Sequence, residues 1–181
     1  MTTTQRYIQN ILRVANSASE SSIQEGLQWY SEAADIAISL GRGLKAGAGV
    51  LAALSPNKSW PETVRLAKRG AECGVFSGSF ASAIRKANTI WDMDLDPSLV
   101  LVGKKEQAFY HAIVNRGRTF VVCVDRHAAS VAKGRPLNSK EARINKREYD
   151  MIAHCYRVAA RSLFWWPAEL QAIVWVEWRK R

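Results

Sequence analysis

Leu44-Lys-Ala-Gly-Ala-Gly-Val-Leu-Ala-Ala-Leu54 is small and apolar around almost its whole circumference. That composition predicts a helix buried on all sides. It stops at Ser55-Pro56. Working back from it, Ser21 or Ser22 caps a preceding helix, with Glu25 placed for a capping box. Ile23, Leu27, Tyr30, Ala34 and Ile38 form its stripe, and Gly41 ends it. Tyr7, Ile8, Ile11, Leu12 and Ala15 mark one more amphipathic helix before that. Working forward, Ser59 caps a helix with Pro61 in its first turn and Val64, Leu66 and Ala67 inside, broken by Gly70 and Gly74. Phe80, Ala83, Ile84, Ala87, Ile90 and Trp91 give the next stripe.

The second half reads the same way. Asp96-Pro97 opens a short turn of helix to Leu101, a hairpin follows at Gly103, and a helix runs from about Lys105 to Asn115. Phe120–Val124 is the one run with β-branched density, a strand or an extended link. Ala128–Ala132 is helical, 134–139 a loop, Glu148–Leu163 a long helix and Ala168–Trp178 the closing one. Trp165, Trp166, Trp175 and Trp178 are assigned to the core. Roughly ten helices and almost no sheet make the fold class all-α. With 181 residues the chain is long enough for one domain or for two small lobes sharing a core.

Charge is unevenly spread. Residues 1–100 carry 10 basic and 9 acidic side chains, residues 101–181 carry 16 and 7. A surplus of this size in one half fits nucleic acid or an anionic membrane surface. The longest small or apolar stretch, Ala46–Leu54, is too short to span a bilayer. No apolar signal core follows Met1, so a soluble, cytoplasmic protein is expected. Cys73, Cys123 and Cys155 lie 50 and 32 residues apart. That spacing argues against a disulfide framework, a zinc site or an iron–sulfur cluster and predicts buried free thiols. No metal and no cofactor is expected.

Two segments carry chemistry. Residues 96–115 read as helix, tight hairpin, helix, with Gly103 letting the backbone approach a ligand and Lys104 and Lys105 adding charge. Residues 120–133 read as an apolar run that delivers Asp125, followed by Arg126 and His127, to the start of a helix. Asp is also a favoured capping residue, so Asp125 stands either as a reactive acid or as a plain N-cap.

Together these segments resemble the helix–hairpin–helix superfamily of DNA glycosylases. Leu101-Val-Gly103-Lys-Lys105-Glu-Gln-Ala108 looks like its hairpin, though with Gly103 alone where the usual pattern has a Pro and two glycines. Val124-Asp125-Arg126-His127-Ala128 looks like its Val-Asp-x-His segment. Leu54-Ser-Pro-Asn57-Lys58-Ser-Trp60 sits where that family has a loop that enters the duplex. The ending Gln171–Trp175 points to a small, divergent branch of bacteriophage type.

The resemblance implies a two-lobed glycosylase-like fold and a monomer acting on double-stranded DNA. It implies that Asp125 stabilises the oxocarbenium-like sugar while the base leaves, with Lys105 as the Schiff-base nucleophile of the lyase branch. Gly103, Lys104, Arg126, His127, Lys133, Arg135, Asn57 and Lys58 would contact DNA. Plainer readings stand beside these: solvated cations, an ordinary turn at Ser55–Ser59, and Trp29 and Tyr30 as core. A base-hypermodification transferase of the same fold, a non-catalytic DNA binder, and a basic helical protein binding RNA or an acidic partner are the alternatives.

Overall fold

A computed structural model describes residues 1–93 and 95–180. Ten α-helices and no strand occur among them: α1 (Thr3–Asn16), α2 (Glu20–Ser39), α3 (Gly43–Leu54), α4 (Trp60–Cys73), α5 (Ala81–Asp92), α6 (Pro97–Val100), α7 (Lys104–Val114), α8 (Arg126–Lys133), α9 (Lys146–Leu163) and α10 (Pro167–Trp178). The chain divides into two units. One comprises Met1–Tyr30 and Asn115–Arg181, the other Ser31–Val114.

In the second unit α3 is the centre. Every residue from Gly47 to Leu54 is buried, and α4, α5, α6 and α7 pack around it. A buried Val or Leu side chain is worth about 1.5–3 kcal/mol, so Val50, Leu51 and Leu54 anchor this unit. The glycines of α3 permit close approach. A Cβ on Gly47 would collide with the Ala37 carbonyl, and one on Gly49 with the Pro97 ring. Gly70 does not break α4, contrary to expectation. The Phe76 ring occupies the space where its side chain would be, and the helix continues to a left-handed Gly74. Phe76 is held in place by an edge contact to Trp91 at 5.4 Å. Its backbone N–H also donates to Asn88 Oδ1 at 3.0 Å.

In the first unit α1 presents Tyr7, Ile11, Val14 and Ala15 to α8, α9 and α10. Ile152, Cys155, Tyr156, Ala159 and Ala160 of α9 and Leu170 and Val174 of α10 complete the core. Ser19, rather than Ser21 or Ser22, caps α2: its hydroxyl accepts from the Ser22 N–H at 3.2 Å. Two of the three thiols are buried, but Cys73, at the end of α4 in the other unit, is exposed. Trp166 also departs from the core assignment and is 39% exposed. The first unit holds 16 Lys and Arg against 8 Asp and Glu, the second 10 against 8.

No single helix among the described residues is long and apolar enough to cross a membrane. Glu20–Ser39 and Gly43–Leu54 meet that criterion only as a pair bent by 107°.

Gly26→Ala is expected to lower stability by about 2 kcal/mol, read as an earlier urea midpoint. A Cβ there would meet the Ile173 backbone, which has no rotamer to yield, and overpacking outweighs alanine's better helix propensity.

Candidate nucleic-acid interface

Residues 120–125 form an extended link, not a strand. Val122, Cys123 and Val124 are buried, and a buried backbone must find hydrogen-bond partners. Here a side chain supplies them. The Tyr149 hydroxyl donates to the Val122 carbonyl at 3.0 Å and accepts from the Val124 N–H at 3.2 Å. This fixes the residue that follows. Asp125 is half-buried and extended (φ −93°, ψ −173°). Its Oδ1 accepts from the Ala128 N–H at 2.8 Å, so it caps α8. The capping role weighed from sequence is therefore present, and it engages one of the two carboxylate oxygens.

Beneath this cap lie buried phenols. Tyr30 donates to Gln171 Oε1 at 2.7 Å, and Tyr156 donates to the Ala128 carbonyl at 3.3 Å. Burial pushes Tyr30, Tyr149 and Tyr156 above the usual phenol range, and the Asp125 charge adds to the shift in all three. Tyr30 is thus a core residue. Trp29 is half-buried, with its ring against Trp175 at 5.6 Å.

One residue beyond the cap, the chain borders a cleft of about 430 Å³ lined by Arg126, His127, Ser130, Pro136, Leu137, Trp178 and Arg179. Ser130 shapes it by donating to the Arg126 carbonyl at 2.7 Å while accepting from the Leu137 N–H at 3.2 Å. The Arg179 guanidinium lies 4.2 Å from the centre of the Trp175 ring. The His127 ring meets Trp175 edge-on at 6.3 Å. Arg126 is exposed and forms no ion pair with any described residue. Two guanidinium groups and an imidazole over a wall of Pro136, Leu137 and Trp178 suit a phosphate with an adjoining planar group.

Lys133 and Arg135 are committed elsewhere. Lys133 pairs with Glu148 at 2.8 Å and Arg135 with Glu141 at 2.6 Å. The Arg135 hydrogen bond, with that of the Asn138 N–H, lowers the Glu141 carboxyl to about 2.

The residues assigned to the other unit are arranged differently from expectation. The first helix of the hairpin, α6, is a single turn of four residues. Gly103 does not adopt a left-handed conformation. Its carbonyl accepts from the Gln107 N–H at 2.9 Å, which makes it the residue before α7. Glu106 Oε2 comes within 3.3 Å of where a Gly103 Cβ would stand, and the same oxygen pairs with Lys86 at 2.6 Å. A carboxylate of the chain itself thus lies at the helix end expected to receive phosphate. Lys104 and Lys105 are exposed in the first turn of α7. Lys105 and Asp125 belong to different units.

Ser55–Lys58 is a β-turn closed by Lys58 N–H to the Ser55 carbonyl at 3.2 Å, with Pro56 second and a left-handed Asn57 third. Asn57 is exposed, and Lys58 pairs with Glu62 at 4.0 Å. No group of three or more His, Cys, Asp or Glu placed to hold a metal occurs among the described residues.

Asp125, Arg126 and His127 thus stand at one helix start; Arg179, which sequence reasoning missed, lines the same cleft as Arg126 and His127, as does Trp178, which also packs against the core as expected. Residues 1–181 match a family described as a family of unknown function (DUF7178), and the chain belongs to it. No curated protein and no solved structure matches the chain.

Tyr149→Phe is expected to cost about 2 kcal/mol in chemical denaturation, since it leaves the buried Val122 carbonyl and Val124 N–H unpaired. Asp125→Ala should cost about 1 kcal/mol through the lost cap, while Asp125→Asn should stay within about 0.5 kcal/mol of the parent because Asn caps equally well.

Proposed function

We propose that this member of DUF7178 binds DNA through the cleft between α8 and the end of α10, and that Asp125 acts there on an extruded nucleotide as in helix–hairpin–helix glycosylases. The observation that carries this reading is the fixed link Val122–Val124. It holds a half-buried carboxylate at the start of a helix whose next two residues line a basic cleft.

An N-glycosidic bond inside a duplex is out of reach until the nucleotide is flipped out, at a cost of a few kcal/mol. Phosphate contacts from Arg126 and Arg179 would help hold the distorted strand. As the base departs, positive charge grows on the sugar. A carboxylate held nearby in a partly buried setting stabilises that charge and orients the attacking water. The Ala128 N–H bond leaves Asp125 Oδ2 for this task.

A second reading, DNA binding without chemistry, draws on two observations. Asp125 already has a structural duty as a cap, and Glu106 lies at the hairpin position meant for phosphate.

Asp125→Asn separates the two readings, because it keeps the cap and removes the charge. With duplexes carrying modified or mismatched bases, the parent should generate alkali-labile abasic sites and the variant none, at equal DNA affinity. Equal base release by both proteins would remove Asp125 from the chemistry. Tight binding with no release by either, across the panel, would leave the second reading. Affinity should also fall steeply with salt, and Arg126→Gln should reduce the slope by about 1.

A further inference from the structure

A second surface of the first unit remains unexplained by the cleft. Helix α9 ends at Phe164 in the left-handed conformation, φ +57°. The Trp165 N–H returns to the Ala160 carbonyl at 3.1 Å, the closing bond of a helix end where Gly is the usual residue. For a bulky aromatic this backbone is unfavourable. The ring gives nothing back to folding, since Phe164 is 96% exposed. Stability alone would place Gly there.

Two residues beyond Phe164, Trp166 is also exposed. Phe120 is 64% exposed, and its ring meets that of Trp166 edge-on at 5.1 Å. The two segments are tied together by the Ala168 N–H, which donates to the Thr119 carbonyl at 3.4 Å. The two stretches of sequence that carry these rings hold charge of one sign. Residues 115–124 and 157–168 contain Arg116, Arg118, Arg157 and Arg161 and no Asp or Glu. Arg118, Arg157 and Arg161 are exposed and form no ion pair with any described residue. The next carboxylates along the chain are Asp125, which accepts from the Ala128 N–H at 2.8 Å, and Glu169, which accepts from the Trp166 backbone N–H at 3.1 Å.

Exposed aromatic rings among arginines complement a ligand with flat apolar faces and a polyanionic backbone. Nucleobases stack on such rings whatever their identity. We propose that Phe164, with Phe120 and Trp166, forms a stacking platform for unpaired DNA bases, flanked by Arg118 and Arg161. The proposal rests on the DNA-binding reading above and adds a preference for unpaired over paired strands. The platform is separate from the residues that line the cleft.

The test compares the parent with Phe164→Gly in binding a labelled short oligothymidylate and a blunt duplex of the same length, at two salt concentrations. The variant should bind the single strand about tenfold more weakly, bind the duplex as before, and keep the same salt slope because no charge has changed. It should also melt about 2–4 °C higher, through relief of the left-handed backbone. Phe164→Asn, which tolerates that conformation, should show the same loss of single-strand affinity.

If the parent binds both DNAs and the variants match it on the single strand, the platform is wrong and the DNA reading survives. If the parent binds neither, both fall. If the substitutions abolish self-association while single-strand affinity is unchanged, the patch serves a second copy of the chain and the proposal is overturned.

Discussion

The Tyr149 hydroxyl meets a constraint that the rest of the first unit depends on. A buried extended segment in an all-helical protein has no neighbouring strand to pair with, yet its N–H and C=O groups cannot be left alone. One phenol answers on both sides, through Val122 and Val124. Its position on α9 couples that helix to the link, and the link determines where α8 begins. The placement of Asp125 is a consequence, and so is the line of Arg126 and His127 along the cleft. Burial also holds the Tyr149 phenol above its ordinary range.

Charge favours the cleft over the hairpin as the proposed anion site. Of the predicted contacts, Lys58, Lys133 and Arg135 each face a carboxylate within 4.0 Å. Only Arg135 among these cations is exposed, and an exposed pair contributes little to stability. The three pairs do set a competition, since a phosphate must displace Glu62, Glu148 or Glu141 to gain these cations. Glu106 lies at the α7 start in a similar way, with Lys86 as its partner. Arg126 meets no such competitor among the described residues, and Arg179 is engaged by an aromatic face that leaves its edge donors available.

Much of the fold was legible because helical periodicity is a local signal. The stripes in α1, α4, α5 and α9 and the all-round burial of α3 follow from residue spacing, and the ends of α6 and α8 from capping chemistry at Asp96 and Asp125. What sequence could not show was non-local. Nothing in the chain pattern announces that Tyr149 reaches back 25 and 27 residues, or that Lys86 and Glu106 meet across 20. Gly70 reads as a breaker until Phe76 is seen filling its place. The left-handed Phe164 has no sequence signature, because a bulky residue there contradicts propensity. Arg179 left a faint one: it follows Trp175 at i,i+4, the spacing of facing side chains on a helix.

The most direct measurement of the central claim is amide hydrogen exchange of the whole chain with and without a short DNA duplex. The account predicts added protection concentrated in peptides covering residues 124–137 and 175–180, with residues 96–107 little changed. Protection centred on 96–107, or none anywhere at saturating DNA, would contradict it.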